Sequence, residues 1–355
     1  MEEVKQCSKC ILPSSFPGIS FNEGGVCNFC RTHTPTPVQG AAALREIFHS
    51  AKGVEYDCVV PVSDGKDSAY ILYYVVRVLG LRAMAVNYDS GFQSPVAGQN
   101  VTTICKALNV PLVIHRADRE RQERMIREVL QVSQIVGSLF GTWMNCEVNI
   151  RTAAINTARE HRVPFVVHGA SELEDIGSHS FLGMKALMSR VRPGQLPRLA
   201  LHVVRYCLYD VRQRIEMKVP LRYRFIPLAA VPFPDRDPRV VRFFDYVEWD
   251  SLSNLDLLKQ ELGWESAVDH EHRFDCQLHC LGNQKWLHEG GISVDGYNFA
   301  TMIREGRLER ETAIDRERAI QAGVMSECHQ VLEHLGLEDY ALPGTPPGGH
   351  GRDPA

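Results

Sequence analysis

What the chain lacks narrows its class. No apolar run approaches the roughly 18 residues that a bilayer-spanning helix needs. Neither sign of charge dominates: 39 Lys and Arg against 43 Asp and Glu leave a formal −4, too little for a general pull toward nucleic acid or an anionic membrane. The opening MEEVKQCSKC is polar and carries no secretory signal, so the expected compartment is the cytoplasm. G-x-x-x-x-G-K, the Walker A phosphate loop, is absent, as are internal repeats and a glutaminase region.

What is present is a globular composition. Over 355 residues, 44% hydrophobic and 23% charged content suit one large domain or two ordinary ones. Eleven cysteines stand out. In a reduced compartment, clustered thiols indicate metal or catalysis more often than disulfides.

The chain divides by pattern. Residues 1–36 hold four cysteines, few apolar side chains and a Thr-Pro-Thr-Pro linker at the end. Residues 50–180 alternate strand and helix. Strands are expected at Asp57–Val62, Arg82–Tyr88, Pro111–His115 and Val163–His168. Helices fall between them, at Ala69–Leu79, Val96–Leu108, Glu120–Val136 and Asn149–His161, with another before them at Ala41–Ala51. This predicts an α/β, doubly wound parallel sheet. Residues 181–340 read as mostly helical, over Met184–Val191, Leu199–Met217, 251–262 and 297–335. The Pro- and Gly-rich 341–355 reads as a disordered tail.

Cys7-x2-Cys10 and Cys27-x2-Cys30, sixteen residues apart, have the spacing of a closed four-thiolate zinc site. Too few apolar residues lie between them to fold on burial alone, so the metal would supply folding energy. Free surface thiols and a rubredoxin-like iron site are the alternatives.

At PVSDGKDSAY the strand ends in a turn of small residues that opens a helix. Successive backbone N–H groups and the positive helix end suit a phosphate. Lys66 adds a point charge, Ser63 and Ser68 add hydroxyls, and Asp67 can cap the helix or reach magnesium. The alternative is an ordinary polar turn. SDGKDS after VVPV resembles the SGGKDS pyrophosphate loop of the PP-loop ATP pyrophosphatases (adenine nucleotide alpha hydrolase-like enzymes). The resemblance implies that Ser63, Asp64, Gly65, Lys66, Asp67 and Ser68 cradle pyrophosphate, with Lys66 acting in catalysis. It implies that Asn87 and Asp89 meet adenine or ribose, and that Gly169 makes a later nucleotide contact. ATP, with Mg2+, is the implied cofactor. Asp64 stands where the family usually has Gly. Asp tolerates left-handed backbone better than most residues, but its charge needs offsetting.

CSKCILPSSFPGISFNEGGVCNFC at 7–30 and FATMIREGRLERETAI at 299–314 resemble the N-acetyl sugar amidotransferase branch. Zinc-ribbon tRNA thiolases of the same superfamily are similar more loosely. The family adenylates a carbonyl or amide oxygen, releases pyrophosphate and lets a nucleophile displace AMP. Nitrogen transfer would take ammonia from a glutaminase subunit and turn an acetamido into an acetamidino group. Sulfur transfer would need a sulfur donor and cysteines.

Cys146, expected just before a helix, and Cys276 with Cys280, expected on one helical face, are the candidates. They would serve in a persulfide relay, or as three ligands of a 4Fe-4S cluster that leaves one iron open. The thiolases place their paired cysteines in a C-x2-C near position 146, so the arrangement here is permuted. Core packing, or a second zinc site with His270, His272 or His279, is the plain reading. Cys58, Cys105 and Cys207 read as core, and Cys328 is unassigned.

Arg190, Arg192, Arg198, Arg205, Arg212, Arg214, Arg222 and Arg224 form either a phosphate-facing surface or solvated helix faces paired with acids. Few aromatics interleave with them, so base stacking is not inferred. Glu172, Glu174 and Asp175 follow the fourth strand and either hold magnesium or cap a helix. The reading that results is an ATP-dependent adenylating sulfurtransferase, with amidotransfer and a non-catalytic nucleotide sensor as alternatives. The acceptor is a sugar, a small molecule or a tRNA. A homodimer is a further expectation.

Overall fold

The computed structural model describes residues 5–35, 37–50, 55–63, 65–137, 144–169, 191–225, 237–248, 253–265 and 276–342. Five parallel strands form its sheet: β1 (Cys58–Pro61), β2 (Ala83–Asp89), β3 (Leu112–Arg116), β4 (Phe165–His168) and β5 (Arg239–Arg242). Their order is β3-β2-β1-β4-β5, so the chain turns back between β1 and β4. That is the doubly wound arrangement, and the crevice at such a reversal is where ligands bind in this architecture.

The strands' apolar character follows from burial on both faces. Cys58, Val60, Ala83, Ala85, Phe165 and Val167 point into the main core. Their neighbours Val59, Met84, Val86 and Val166 point the other way, into a second core with Ala153, Ala154 and Ala158. The main-core face receives α3 (Lys66–Tyr73) and α4 (Pro95–Leu108). The opposite face receives α6 (Met144–Glu160). Local signals set the helix ends. Ser94 caps α4 by accepting from the Ala97 N–H at 3.1 Å, Pro95 opens it, and Asn109 closes it in the left-handed region at φ 55°. Asp118 caps α5 (Arg119–Val136) in the same way, on the Arg121 N–H.

Two short helices, α1 (Asn28–Thr32) and α2 (Ala41–His49), precede the sheet. After β4 come α7 (Leu196–Glu216) and α8 (Leu221–Arg224). Past β5 lie α9 (Ser253–Leu262), α10 (His279–Gly290), α11 (Val294–Arg304) and α12 (Arg310–His334). The helical span expected over 297–335 is broken at Gly306, which takes φ +72° between α11 and α12. The β5 strand was not expected. Four residues, Arg-Val-Val-Arg, are too short for alternation to register, and pairing with β4 alone makes them a strand. The expected helix at Met184–Val191 falls almost wholly outside the described residues, as does the tail beyond Leu342.

The N-terminal ribbon packs on α10 and α11. Phe16 stacks on Tyr297 with centroids 5.6 Å apart and lies 6.3 Å from Trp286. His33 approaches the Glu305 carboxylate at 2.7 Å. The two segments that share the amidotransferase resemblance, 7–30 and 299–314, also meet directly, where the Arg310 guanidinium donates to the Cys10 and Cys7 carbonyls.

Candidate functional site

The crevice lies at the carboxyl ends of β1 and β4, and the turn at 63–68 occupies it. Its Ser68 hydroxyl is used internally. It donates to the Gly65 carbonyl at 2.9 Å, accepts from the Ser63 N–H at 3.1 Å and lies 3.4 Å from the Ser63 hydroxyl. These bonds fold the chain back sharply so that α3 starts at Lys66. Gly65 precedes that helix with no side-chain cap. The first N–H groups of α3 and its positive end are therefore available to an anion. Lys66 stands beside them and forms no ion pair among the described residues. Asp67 carries a buried Oδ1 with no hydrogen-bond partner, an arrangement that suits a bound cation or donor. Asp64 lies outside the described residues, and so do Glu172, Glu174 and Asp175.

Gly169 follows β4 at the opposite lip. A Cβ there would stand 3.0 Å from Ile71 Cδ1 of α3, so the absence of a side chain lets strand end and helix meet. His168 beside it is pushed down to about 4, first by burial and then by the charge of Arg151. It is a neutral imidazole at neutral pH. Arg151 was not among the expected site residues. The one sequence signal for it is a charge set in the apolar run Ile150-Arg151-Thr152-Ala153-Ala154 of a helix that faces the sheet.

The end of β2 forms the second wall. Asn87 was expected to meet the nucleotide, but its Nδ2 donates to the Val62 carbonyl at 2.8 Å and it is 3% exposed. Its amide ties the exit of β1 to β2. Asp89 stays partly open; its Oδ1 accepts the Gly91 N–H at 2.9 Å, and Arg116 lies 3.8 Å away. The phenol of Tyr88 accepts from Asn149 Nδ2 at 3.0 Å and Gln213 Nε2 at 2.5 Å, and Gln213 in turn accepts from Gln122 at 2.7 Å. Burial holds this phenol above its ordinary range, and the charge of Cys146 acts in the same direction.

The candidate cysteines separate. Cys146 lies in the first turn of α6, not ahead of the helix, and is close enough to Tyr88 to affect it. Cys276 pairs with Gln93 in an isolated bridge, and the Gln277 N–H donates to the Phe92 carbonyl at 2.9 Å. Cys276 therefore sits against the loop that leaves β2. Because α10 begins only at His279, Cys276 and Cys280 do not share a helical face. Cys280 is 1% exposed. Its thiol donates to the Gln277 carbonyl at 3.3 Å and is held far above the usual range by contact with Cys328 and by burial. A 4Fe-4S cluster on Cys146, Cys276 and Cys280 does not fit this arrangement, because Cys280 is turned into the helical core. His279 is hydrogen-bonded to Asp295 at 2.9 Å, and His270 and His272 lie outside the described residues.

Cys7, Cys10, Cys27 and Cys30 bring their sulfurs within 4.8 Å of one another. Among the described residues they are the only His, Cys, Asp or Glu group so arranged. All four are buried. Backbone N–H groups converge on the sulfurs: Lys9, Cys10 and Cys27 donate to Cys7, Leu12 to Cys10, and Cys30 to Cys27. Burial alone would raise the Cys7 thiol, but the N–H groups outweigh it and bring it down to about 7, whereas the Cys30 side chain and burial push Cys10 up and burial pushes Cys27 up. Two knuckles, four sulfurs and a preformed set of donors for thiolate charge fit a closed tetrahedral zinc site.

The arginines of the middle region are mostly engaged within the chain. Arg214 pairs with Asp210 at 2.9 Å in the interior, Arg212 with Glu216 at 3.3 Å, and Arg205 with Glu128 at 3.8 Å. Arg222 lies over the Tyr223 ring, and Arg224 donates to the Val219 carbonyl. Cys58 and Cys105 are core, as expected, while Cys207 is half-buried.

No protein-family model matches the chain, and no curated protein does. The chain is similar to solved structures at low levels. An NMN synthetase from Francisella tularensis gives a TM-score of 0.37 at 14% identity, over 86% of this chain and 94% of that one. A U34-tRNA thiolase from Methanococcus maripaludis, solved with its 4Fe-4S cluster, gives 0.36 at 12%, over 97% and 94%. An NH3-dependent NAD synthetase from Campylobacter jejuni gives 0.28 at 16%, over 53% and 87%.

Proposed function

We propose that the chain is a PP-loop-type, ATP-dependent transferase that adenylates a carbonyl or amide oxygen and replaces that oxygen with sulfur. The observation that carries the first step is the uncapped start of α3 at the β1–β4 reversal, with Lys66 beside it. Its N–H groups and Lys66 are preorganised for charge that grows on departing pyrophosphate, the kind of stabilisation that dominates such reactions. Asp67, with its buried oxygen, would hold a magnesium ion, which supplies charge neutralisation when bound with ATP. In that step the acceptor oxygen attacks the α-phosphorus and the bond to pyrophosphate breaks.

Two thiols near the end of β2, Cys146 and Cys276, favour sulfur as the second nucleophile. A persulfide formed on one would attack the adenylated carbon as AMP leaves with the oxygen. The other thiol would cleave the sulfur–sulfur bond, and the resulting disulfide would be reopened by a cellular thiol reductant. The sulfur donor is a separate protein or low-molecular-weight persulfide.

Amidotransfer to an N-acetyl sugar is the second reading. The contact between the ribbon and the 299–314 segment favours it, because the resemblance to that branch rests on both. The deciding experiment incubates the zinc-loaded enzyme with ATP and candidate sugars, tRNAs or small amides, and follows pyrophosphate. An acceptor-dependent burst lost in Lys66→Ala supports adenylation through this turn; a burst unchanged by that variant removes Lys66 from the step, and nucleotide binding with no burst for any acceptor leaves a nucleotide-sensing role. Cys276→Ser blocks sulfur incorporation under the first reading and leaves glutaminase-dependent nitrogen incorporation intact under the second.

A further inference from the structure

His279 opens α10, and its imidazole is held from behind. Its Nε2 meets Asp295 Oδ2 at 2.9 Å, and Asn283 Nδ2 reaches the same oxygen at 3.2 Å. The Asn283 amide is fixed in that sense, because its Oδ1 accepts the Val294 N–H at 3.1 Å. Asp295 and Asn283 are buried, while the His279 side chain is 17% exposed. A carboxylate only accepts, so Nε2 carries the proton of the neutral ring and Nδ1 its lone pair. Among the described residues no hydrogen bond reaches that Nδ1. A carboxylate behind one ring nitrogen, with the second nitrogen open, is the arrangement of an oriented base.

The thiol within its reach is Cys276. The His279 N–H donates to the Cys276 carbonyl at 3.0 Å, which closes a turn and holds the two Cα atoms within about 7 Å. Cys276 is half-buried against the loop that leaves β2, whereas Cys280 is turned inward onto the Gln277 carbonyl. Other charged groups lie around the turn. Arg119 and His334 flank Gly91 and Phe92 on the β2 exit loop, and Glu327 and Cys328 on α12 act on Cys280 behind it.

We propose that His279 is the base that ionises Cys276, and that Asp295 and Asn283 position its ring. The proton leaves the Cys276 sulfur for Nδ1, which gives a thiolate beside an imidazolium that Asp295 stabilises. The use of this step rests on the sulfur-transfer reading above. The thiolate attacks the outer sulfur of a donor persulfide, a sulfur–sulfur bond forms on Cys276 and the donor's breaks. The departing donor thiolate takes the proton back from Nδ1. Cys276 is thus the thiol that carries the sulfur, and Cys146 the one that cleaves the bond after transfer.

The pH profile of Cys276 alkylation by iodoacetamide, read by peptide mass spectrometry on the full zinc-loaded chain, tests the pair. The wild-type midpoint should lie below the ordinary thiol value of about 8.5. At pH 7 the wild-type rate should exceed that of His279→Gln by about tenfold, because an unassisted thiol is only a few per cent ionised there. Glutamine can still donate to Asp295, so the tie between α10 and α11 is kept. Asp295→Asn should slow the reaction as well, by upsetting the tautomer with His279 in place. Cys207, half-buried on α7, is the internal reference and should react alike in all three proteins. Identical Cys276 profiles in wild type and His279→Gln overturn the proposal. So does a change that Cys207 shares, since the pair is then a structural tie. A shifted profile with no sulfur entering any acceptor supports the base and counts against the sulfur reading instead.

Discussion

Arg310 donates from Nε to the carbonyl oxygen of Cys10 at 3.1 Å, joining the N-terminal knuckle to the start of the last helix. A second donor of the same guanidinium reaches the Cys7 carbonyl at 3.3 Å. Both carbonyls belong to residues whose sulfurs form the candidate zinc site, so one cation ties the metal loop to the helices behind it.

Arg310→Ala should therefore lower stability by about 1.5–3 kcal/mol, the range for hydrogen bonds to a charged group. It should also speed zinc transfer to a colorimetric chelator. Arg310→Lys should restore little, because one ammonium cannot reproduce the two-pronged contact. Thermal melts and chelator kinetics on the three proteins check both effects.

Removal of the metal that Cys7, Cys10, Cys27 and Cys30 would hold should unfold more than the ribbon. Phe16 is stacked on Tyr297 and close to Trp286, and these rings belong to the main core. Metal stripped by a strong chelator should change the near-ultraviolet signal of Trp286 as well as the amide exchange of residues 7–30. If only residues 7–30 respond, ribbon and helices are independent.

In the crevice, Lys66→Ala should reduce acceptor-dependent pyrophosphate release by about 100- to 1000-fold, the usual cost of losing one preorganised charge stabiliser. Ser68→Ala acts differently. Its hydroxyl holds the turn closed on Ser63 and Gly65, so the expected result is weaker nucleotide binding with a stability loss of about 1 kcal/mol. Nucleotide titration and melts distinguish the two.

His168 gives a pH dependence of defined sign. Its folded value of about 4 lies below the ordinary 6.5, so the unfolded chain takes up the proton first as pH falls. The stability it contributes is complete above about 6.5 and is lost between there and about 4, to a total of roughly 3 kcal/mol. Other groups add their own acid dependence. The difference between wild type and His168→Gln in urea melts at neutral and mildly acidic pH isolates the histidine, and equal slopes would contradict the assignment.

Much of this was legible in the residues. The β1–turn–α3 unit, the three other long-signal strands and the four-cysteine spacing each rest on local pattern, and local pattern survives folding. The placement and partners of Asn87, Cys276 and Cys280 were not legible, because each depends on a contact far along the chain. Asn87 was placed at a strand end where nucleotides bind, yet its amide is used by the Val62 carbonyl. Cys276 and Cys280 are four apart, but the helix that would align them starts at residue 279. Arg151 carried one signal, a charge inside an apolar helical run, but nothing nearby in sequence marks that its charge acts on His168.

The position of α7 bears on how one wall of the crevice is held. The amide of Gln213 that grips the Tyr88 hydroxyl lies on the same rigid rod as Leu208, on its opposite side. One wall of the crevice is thus fastened by a helix whose donor lies 125 residues further along the chain, and a change in that helix reaches the phenol without touching the turn at Ser63.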